Sequence, residues 1–157
     1  MNFVSKFLMF LIPAVMASQS CLGQDALAAD KVNALKDLRS VAIVLRLNTP
    51  REIASSKEWS DMIEVGLHRR VPDLIVVSDI KKAANWFELN IITTNEGGFV
   101  EISVYRWVRV LASGEEVVAK VWWDARAIFG GVSKQAVQES IDTLLTSFAA
   151  DYLRSKR

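Results

Sequence analysis

The chain has 157 residues, 51% of them hydrophobic, with 19 basic and 18 acidic residues, one histidine and one cysteine. All 18 acidic residues follow position 24, so a chain that loses Lys6 on processing is formally neutral. That balance excludes a long-range pull toward nucleic acid or an anionic membrane, and a single cysteine excludes an intramolecular disulfide.

The first element is an export signal. Lys6 precedes the apolar run Phe7 to Ala17, and a small, polar segment follows. A positive start, a core of about 7–15 apolar residues and a small-residue exit are what the secretion machinery reads. The core is shorter than the roughly 20 residues needed to span a bilayer. Val15-Met16-Ala17, Cys21-Leu22-Gly23 and Ala26-Leu27-Ala28 each offer a cleavage site, so residues 1–23 are assigned to the signal with an exit between 17 and 28. Cys21 carries a second reading, in which Ser18-Gln19-Ser20-Cys21 acts as a lipobox and an acylated Cys21 tethers the domain to a membrane.

Residues 24–34 read as a flexible leader, and a single domain is expected over 35–157. Ser40 to Leu47 is β-branched and apolar, of strand length, and closed by Asn48-Thr49-Pro50, which predicts a central, buried strand. Ser55 with Glu58 three residues on is a capping-box pattern. Trp59, Met62, Ile63, Gly66 and Leu67 then recur at helical spacing until Pro72. Leu74 to Val77 predicts a short strand, and Ser78 to Asn85 a link or one helical turn.

Trp86 to Thr94, Phe99 to Leu111 and Glu116 to Asp124 alternate with period two around two stretches of turn chemistry, Asn95 to Gly98 and Ala112 to Glu115. They predict a three-stranded antiparallel meander. Pairing Thr94 with Phe99 and Leu111 with Glu116 puts Phe87, Leu89, Ile91, Val100, Ile102, Val104, Val108, Val110, Val117, Ala119, Val121 and Trp123 on one face. That face is apolar except for Arg106, and a slip of one residue would invert it. Beyond Gly130-Gly131, Ser133 predicts the cap of a last helix with an apolar stripe of Val137, Ile141, Leu144, Leu145, Phe148 and Tyr152. The expected fold is an α+β two-layer sandwich: a mixed sheet with the antiparallel meander, two helices on one face, order β-α-β-β-β-β-α.

Two local runs carry a resemblance. Ala83-Ala84-Asn85-Trp86 opens the meander, and Val108-Arg109-Val110-Leu111-Ala112-Ser113-Gly114-Glu115 closes a strand on a turn. They resemble the alanine-rich entry and closing turn of β-α-β-β-β-α bacterial envelope domains, in the N-terminal part of TolB and in LptE-like and ABC-transport auxiliary lipoproteins. The likeness implies envelope assembly or transport scaffolding through protein contacts.

Few residues promise chemistry. His68 flanks the first helix's apolar stripe and reads as a solvated side chain; without a second histidine, zinc sites and Ser/His/Asp or Cys/His arrangements lack their parts. Gly97-Gly98 and Gly130-Gly131 read as turn glycines. Glu88 and Glu101 are a carboxylate pair of the kind used on glycosides, but on a strand's polar face they read as solvated. No catalytic residue, metal or cofactor is assigned. The second sheet face is the candidate site. There the same register lines up Trp86, Trp107 and Lys120 in one row and Glu88, Tyr105 and Trp122 in the next. Contiguous exposed aromatics with neighbouring charge mark interaction sites. The sequence thus predicts an exported, non-enzymatic binding or scaffold protein of the cell envelope. Its partner is an envelope protein or a second copy, with the membrane involved only if Cys21 is acylated. The alternative is a periplasmic or secreted small-ligand domain, for instance for a saccharide stacked on Trp.

Overall fold

Asn85 fixes where the sheet begins: its side-chain Nδ2 donates to the Ser40 carbonyl at 3.0 Å, tying the first residues of two parallel neighbouring strands together. The computed structural model describes residues 30–49, 53, 55–94 and 96–157. The export segment, the three candidate cleavage sites and Cys21 lie outside them. A compact unit runs from Lys31 to Arg157. Its elements are β1 (Ser40–Asn48), α1 (Ser56–Arg70), β2 (Ile75–Val77), a 3-10 turn (Ile80–Lys82), β3 (Asn85–Thr93), β4 (Gly97–Arg109), β5 (Glu116–Phe129) and α2 (Lys134–Ser155). The five strands form one mixed sheet of order β2-β1-β3-β4-β5, parallel across β2-β1-β3 and antiparallel across β3-β4-β5. This is the expected α+β sandwich. No helix among the described residues is long and apolar enough to cross a membrane.

Both helices pack on one side of the sheet, because both carry apolar stripes and a single core cluster absorbs them. Trp59, Ile63 and Leu67 of α1 and Val137, Ile141, Leu144, Leu145, Phe148 and Tyr152 of α2 are buried against Phe87, Leu89, Ile91, Val100, Ile102 and Val104. Each such side chain contributes about 1.5–3 kcal/mol by leaving water. Phe148 is the hub, meeting Phe87 and Trp122 edge to face at centroid distances of 5.0 and 5.2 Å. Gly66 lets the helices approach closely: a Cβ there would lie 2.6 Å from Leu145 Cδ1. Leu35 and Leu38 complete the core ahead of β1. The Leu38 carbonyl accepts from the Tyr152 hydroxyl at 3.2 Å, and the Ala34 carbonyl from Arg106 Nη1 at 3.1 Å.

Several expectations are corrected. β1 does lie between two strands, but only Val41 and Ala42 are fully buried, since Arg46 reaches the face without helices. Ser55 occupies the N-cap of α1 without a side-chain hydrogen bond. Glu58 instead forms a 2.6 Å ion pair with Lys134 at the start of α2. Ser133 does cap α2, accepting from the Ala136 amide at 3.1 Å.

The meander's register differs as well. The Thr94 amide donates to the Gly97 carbonyl at 2.8 Å, so the first turn closes on Thr93 paired with Gly98. Gly97 and Gly98 are therefore strand residues, and a Cβ on Gly97 would sit 2.6 Å from the Ile128 carbonyl oxygen. Relative to the expected register, β4 is displaced by two residues against β3. An even displacement keeps every side chain on its face.

The second hairpin contains what the pattern concealed. Arg109 pairs with Glu116 and Tyr105 with Lys120, but Val104 pairs with Trp122, so Val121 is an extra residue and the ladder shifts there. Beyond such a bulge the alternation inverts. Trp122 accordingly enters the core at 1% exposure, and Trp123, expected inside, lies on the other face at 46%.

Candidate functional site

The sheet face away from the helices carries even-numbered positions of β1 and β3, odd-numbered positions of β4, and positions of β5 that change parity at Val121. Trp86 stands opposite Tyr105, which stands opposite Lys120; Glu88 stands opposite Ser103, which stands opposite Trp123. Trp107 is one pair further along, opposite Val118. Of the six residues expected here, the structure brings five to this face: Trp86, Glu88, Tyr105, Trp107 and Lys120. The expected placement of Trp122 is corrected to the core, where its indole Nε1 donates to Asp151 Oδ2 of α2 at 2.9 Å. Trp123 takes its place. The row partners also change, through the two-residue displacement of β4.

At one end of the face Trp86 and Trp107 meet edge to face, with centroids 5.8 Å apart and planes at 61°. Trp107 remains 51% exposed, and Val118, Ile80 and Ile75 beside this end of the sheet are exposed too. The far end carries Ile92, Phe99 and Phe129, all exposed. Between the two runs a charged band. Arg46 Nε donates to Glu88 Oε2 at 2.8 Å, Lys120 pairs with Glu101, and the Ser103 hydroxyl also donates to Glu101. The Lys120 ammonium lies 5.6 Å from the Tyr105 ring centroid.

The carboxylates are not the solvated pair expected from alternation. Glu88 is 8% exposed and is held by Arg46. Partial burial pushes the Glu101 carboxyl up, but hydrogen bonds from Lys120 and Ser103 and the charge of Lys120 outweigh it and hold it below its ordinary 4.5. Lys120 mirrors this, lowered by burial but raised further by Glu101, so that it rests above 10.5. Both groups stay charged across the neutral range.

A concavity of about 250 Å³ opens on this face beside the band, lined by Val44 and Arg46 of β1, Ile80 of the 3-10 turn, Trp86 and Glu88 of β3, Tyr105 of β4 and Val118 of β5. Of its lining, Trp86, Glu88 and Tyr105 are among the residues the alternation predicts, whereas Val44, Arg46, Ile80 and Val118 are not. Arg46 was the available signal: one charge inside an eight-residue apolar run marks a strand with one wet face. Trp123 is fixed at the sheet edge, where Lys31 Nζ donates to its carbonyl at 2.9 Å and sits 4.3 Å from its ring centroid. His68 is exposed on α1, away from this face.

No protein-family model matches the chain, and no curated protein sequence matches it.

Proposed function

We propose that this chain is an exported, non-enzymatic binding or scaffold protein of the bacterial cell envelope that holds a partner protein on its open aromatic sheet face. Export rests on Lys6 and the apolar run Phe7 to Ala17. The observation that carries the binding reading is the exposure of Trp107, Trp123, Phe99 and Phe129 together on one face of one sheet. Exposed aromatic clusters interleaved with charge mark interaction sites on soluble proteins, and Trp with nearby Arg is the usual anchor of a protein interface.

The small-ligand reading rests on the concavity beside Arg46 and Glu88. Its volume of about 250 Å³ is below the roughly 300–1,000 Å³ of pockets that enclose a whole ligand, which favours a partner protein over a self-contained ligand. The test replaces Trp107 and Trp123 together by Ser. The mass of the natively extracted assembly should fall to that of the free chain. An assembly of unchanged mass contradicts the reading.

A further inference from the structure

We infer that the concavity between the 3-10 turn and the aromatic end of the sheet is an anchor pocket for one tryptophan side chain of the partner protein. The inference rests on the binding reading above and specifies the chemistry of the partner. Three observations lead to it. The first is size. A cavity of about 150 Å³ holds a benzene ring, so a concavity of about 250 Å³ has room for a bicyclic ring. The second is the wall. Val44, Ile80 and Val118 supply aliphatic surface, and Trp86 and Tyr105 supply rings, against which another aromatic gains about 0.5–1.5 kcal/mol beyond its buried area.

The third is the polar inventory. Glu88 is 8% exposed, and Arg46 Nε engages only its Oε2. A carboxylate has about four acceptor positions, so Glu88 can accept one more donor from a group seated in the concavity. An indole fits that inventory: it is apolar over its whole body and has a single N–H. A sugar ring brings several hydroxyls to a pocket whose polar side chains are Arg46, Glu88 and the Tyr105 phenol, and the unmatched hydroxyls would be buried at a cost. An aliphatic anchor would leave Glu88's open position facing apolar surface. Arg46 stays largely exposed while bound to Glu88, so its remaining N–H donors at the rim can take main-chain carbonyls of the segment that carries the tryptophan.

The experiment follows backbone amide shifts of the isotope-labelled protein, as isolated from the cells that export it, during titration with N-acetyl-tryptophanamide, its 1-methylindole analogue, free tryptophan and methyl glucoside. The blocked tryptophan should shift Ile80, Trp86 and Val118. The methylated analogue, which has no N–H, should bind about tenfold or more weakly, the loss expected for a hydrogen bond to a charged acceptor. Glu88→Leu should abolish that difference, and unchanged shifts at Leu144 and Phe148 will show that the variant is folded. Equal binding of the methylated analogue, tighter binding of the glucoside, or no shift at Ile80 and Val118 overturns the anchor. So does tenfold tighter binding of free tryptophan than of the blocked form, which would make this a site for the amino acid itself. The binding reading is judged separately, by the assembly mass of the Trp107 and Trp123 double variant. A missing titration response with an assembly that still depends on those residues removes the pocket and leaves the face.

Discussion

Trp122 and Trp123 are adjacent in the chain and lie on opposite faces of the same sheet, and the one-residue bulge at Val121 sets Trp122, not Trp123, toward the helices. Trp122 packs edge to face on Phe148 and bonds to Asp151, so it joins the edge strand to the last helix. Trp123 is clasped from outside by Lys31. The bulge thereby decides which of the two tryptophans packs in the core and which faces outward.

Replacing the two in turn should separate these roles. Trp122→Ser removes a fully buried ring and leaves a cavity, at a cost of about 3–5 kcal/mol. Trp123→Ser loses a half-exposed ring and a cation–π contact worth about 0.5–1 kcal/mol. Urea unfolding of both variants checks the contrast, and similar midpoints would place the bulge elsewhere.

Trp107 should matter little to the fold. Its edge contact with Trp86 is worth about 0.5–1.5 kcal/mol, and half of its surface already meets water. Trp107→Ser should therefore stay within about 1.5 kcal/mol of the parent in thermal or urea unfolding, which makes it a clean probe of binding.

The charged band predicts a pH dependence with opposite signs at the two ends of the scale. The Glu101 carboxyl lies below 4.5 in the folded chain, so its contribution is present above the unfolded value and is lost as pH falls through the folded one. Lys120 lies above 10.5 when folded, so its share is intact below that value and lost as pH rises beyond the folded one. The pair is partly exposed, and the effect should be no more than about 1 kcal/mol. Glu101→Gln should flatten the acid limb of the stability profile between about pH 5 and 3, where a lowered carboxylate titrates; an unaltered limb would contradict the assignment.

Gly97 is required by a backbone contact. A Cβ there would press on the Ile128 carbonyl at 2.6 Å, and a strand backbone cannot yield as a side chain can. Gly97→Ala should cost about 1–3 kcal/mol, the usual range for overpacking. Gly114→Ala, where nothing lies within 4 Å but φ is +74°, should lose stability through the left-handed backbone alone, by about 1 kcal/mol. Chemical unfolding of the two variants reads both.

The residues that were legible are those whose patterns allow only one reading. The α2 stripe from Val137 to Tyr152 buries as its spacing requires, and the alternation of β3 and β4 gave the correct faces even though the turns close two residues away from the expected positions. Alternation is insensitive to even displacements, which is why the faces survived and the row partners did not. The bulge was hidden because Val121, Trp122 and Trp123 are all apolar: either parity puts a large apolar side chain inside, so neither is penalised in the sequence. The concavity was only half visible for a different reason. Part of its wall, Val44, Arg46 and Ile80, comes from β1 and the 3-10 turn, whose placement beside the meander is a matter of strand order and not of local pattern.

On this reading the helix-free aromatic face is where the protein meets its partner. Site-specific photo-crosslinking in the cells that make the protein tests it most directly, with the photoreactive residue at position 107 and, as a control, at Leu153, which is exposed on α2. One discrete adduct should form from position 107, none from 153, and that adduct should be lost when Tyr105 is replaced by Ser. Adducts of equal yield from both positions, or from 153 alone, or none from 107, would contradict it.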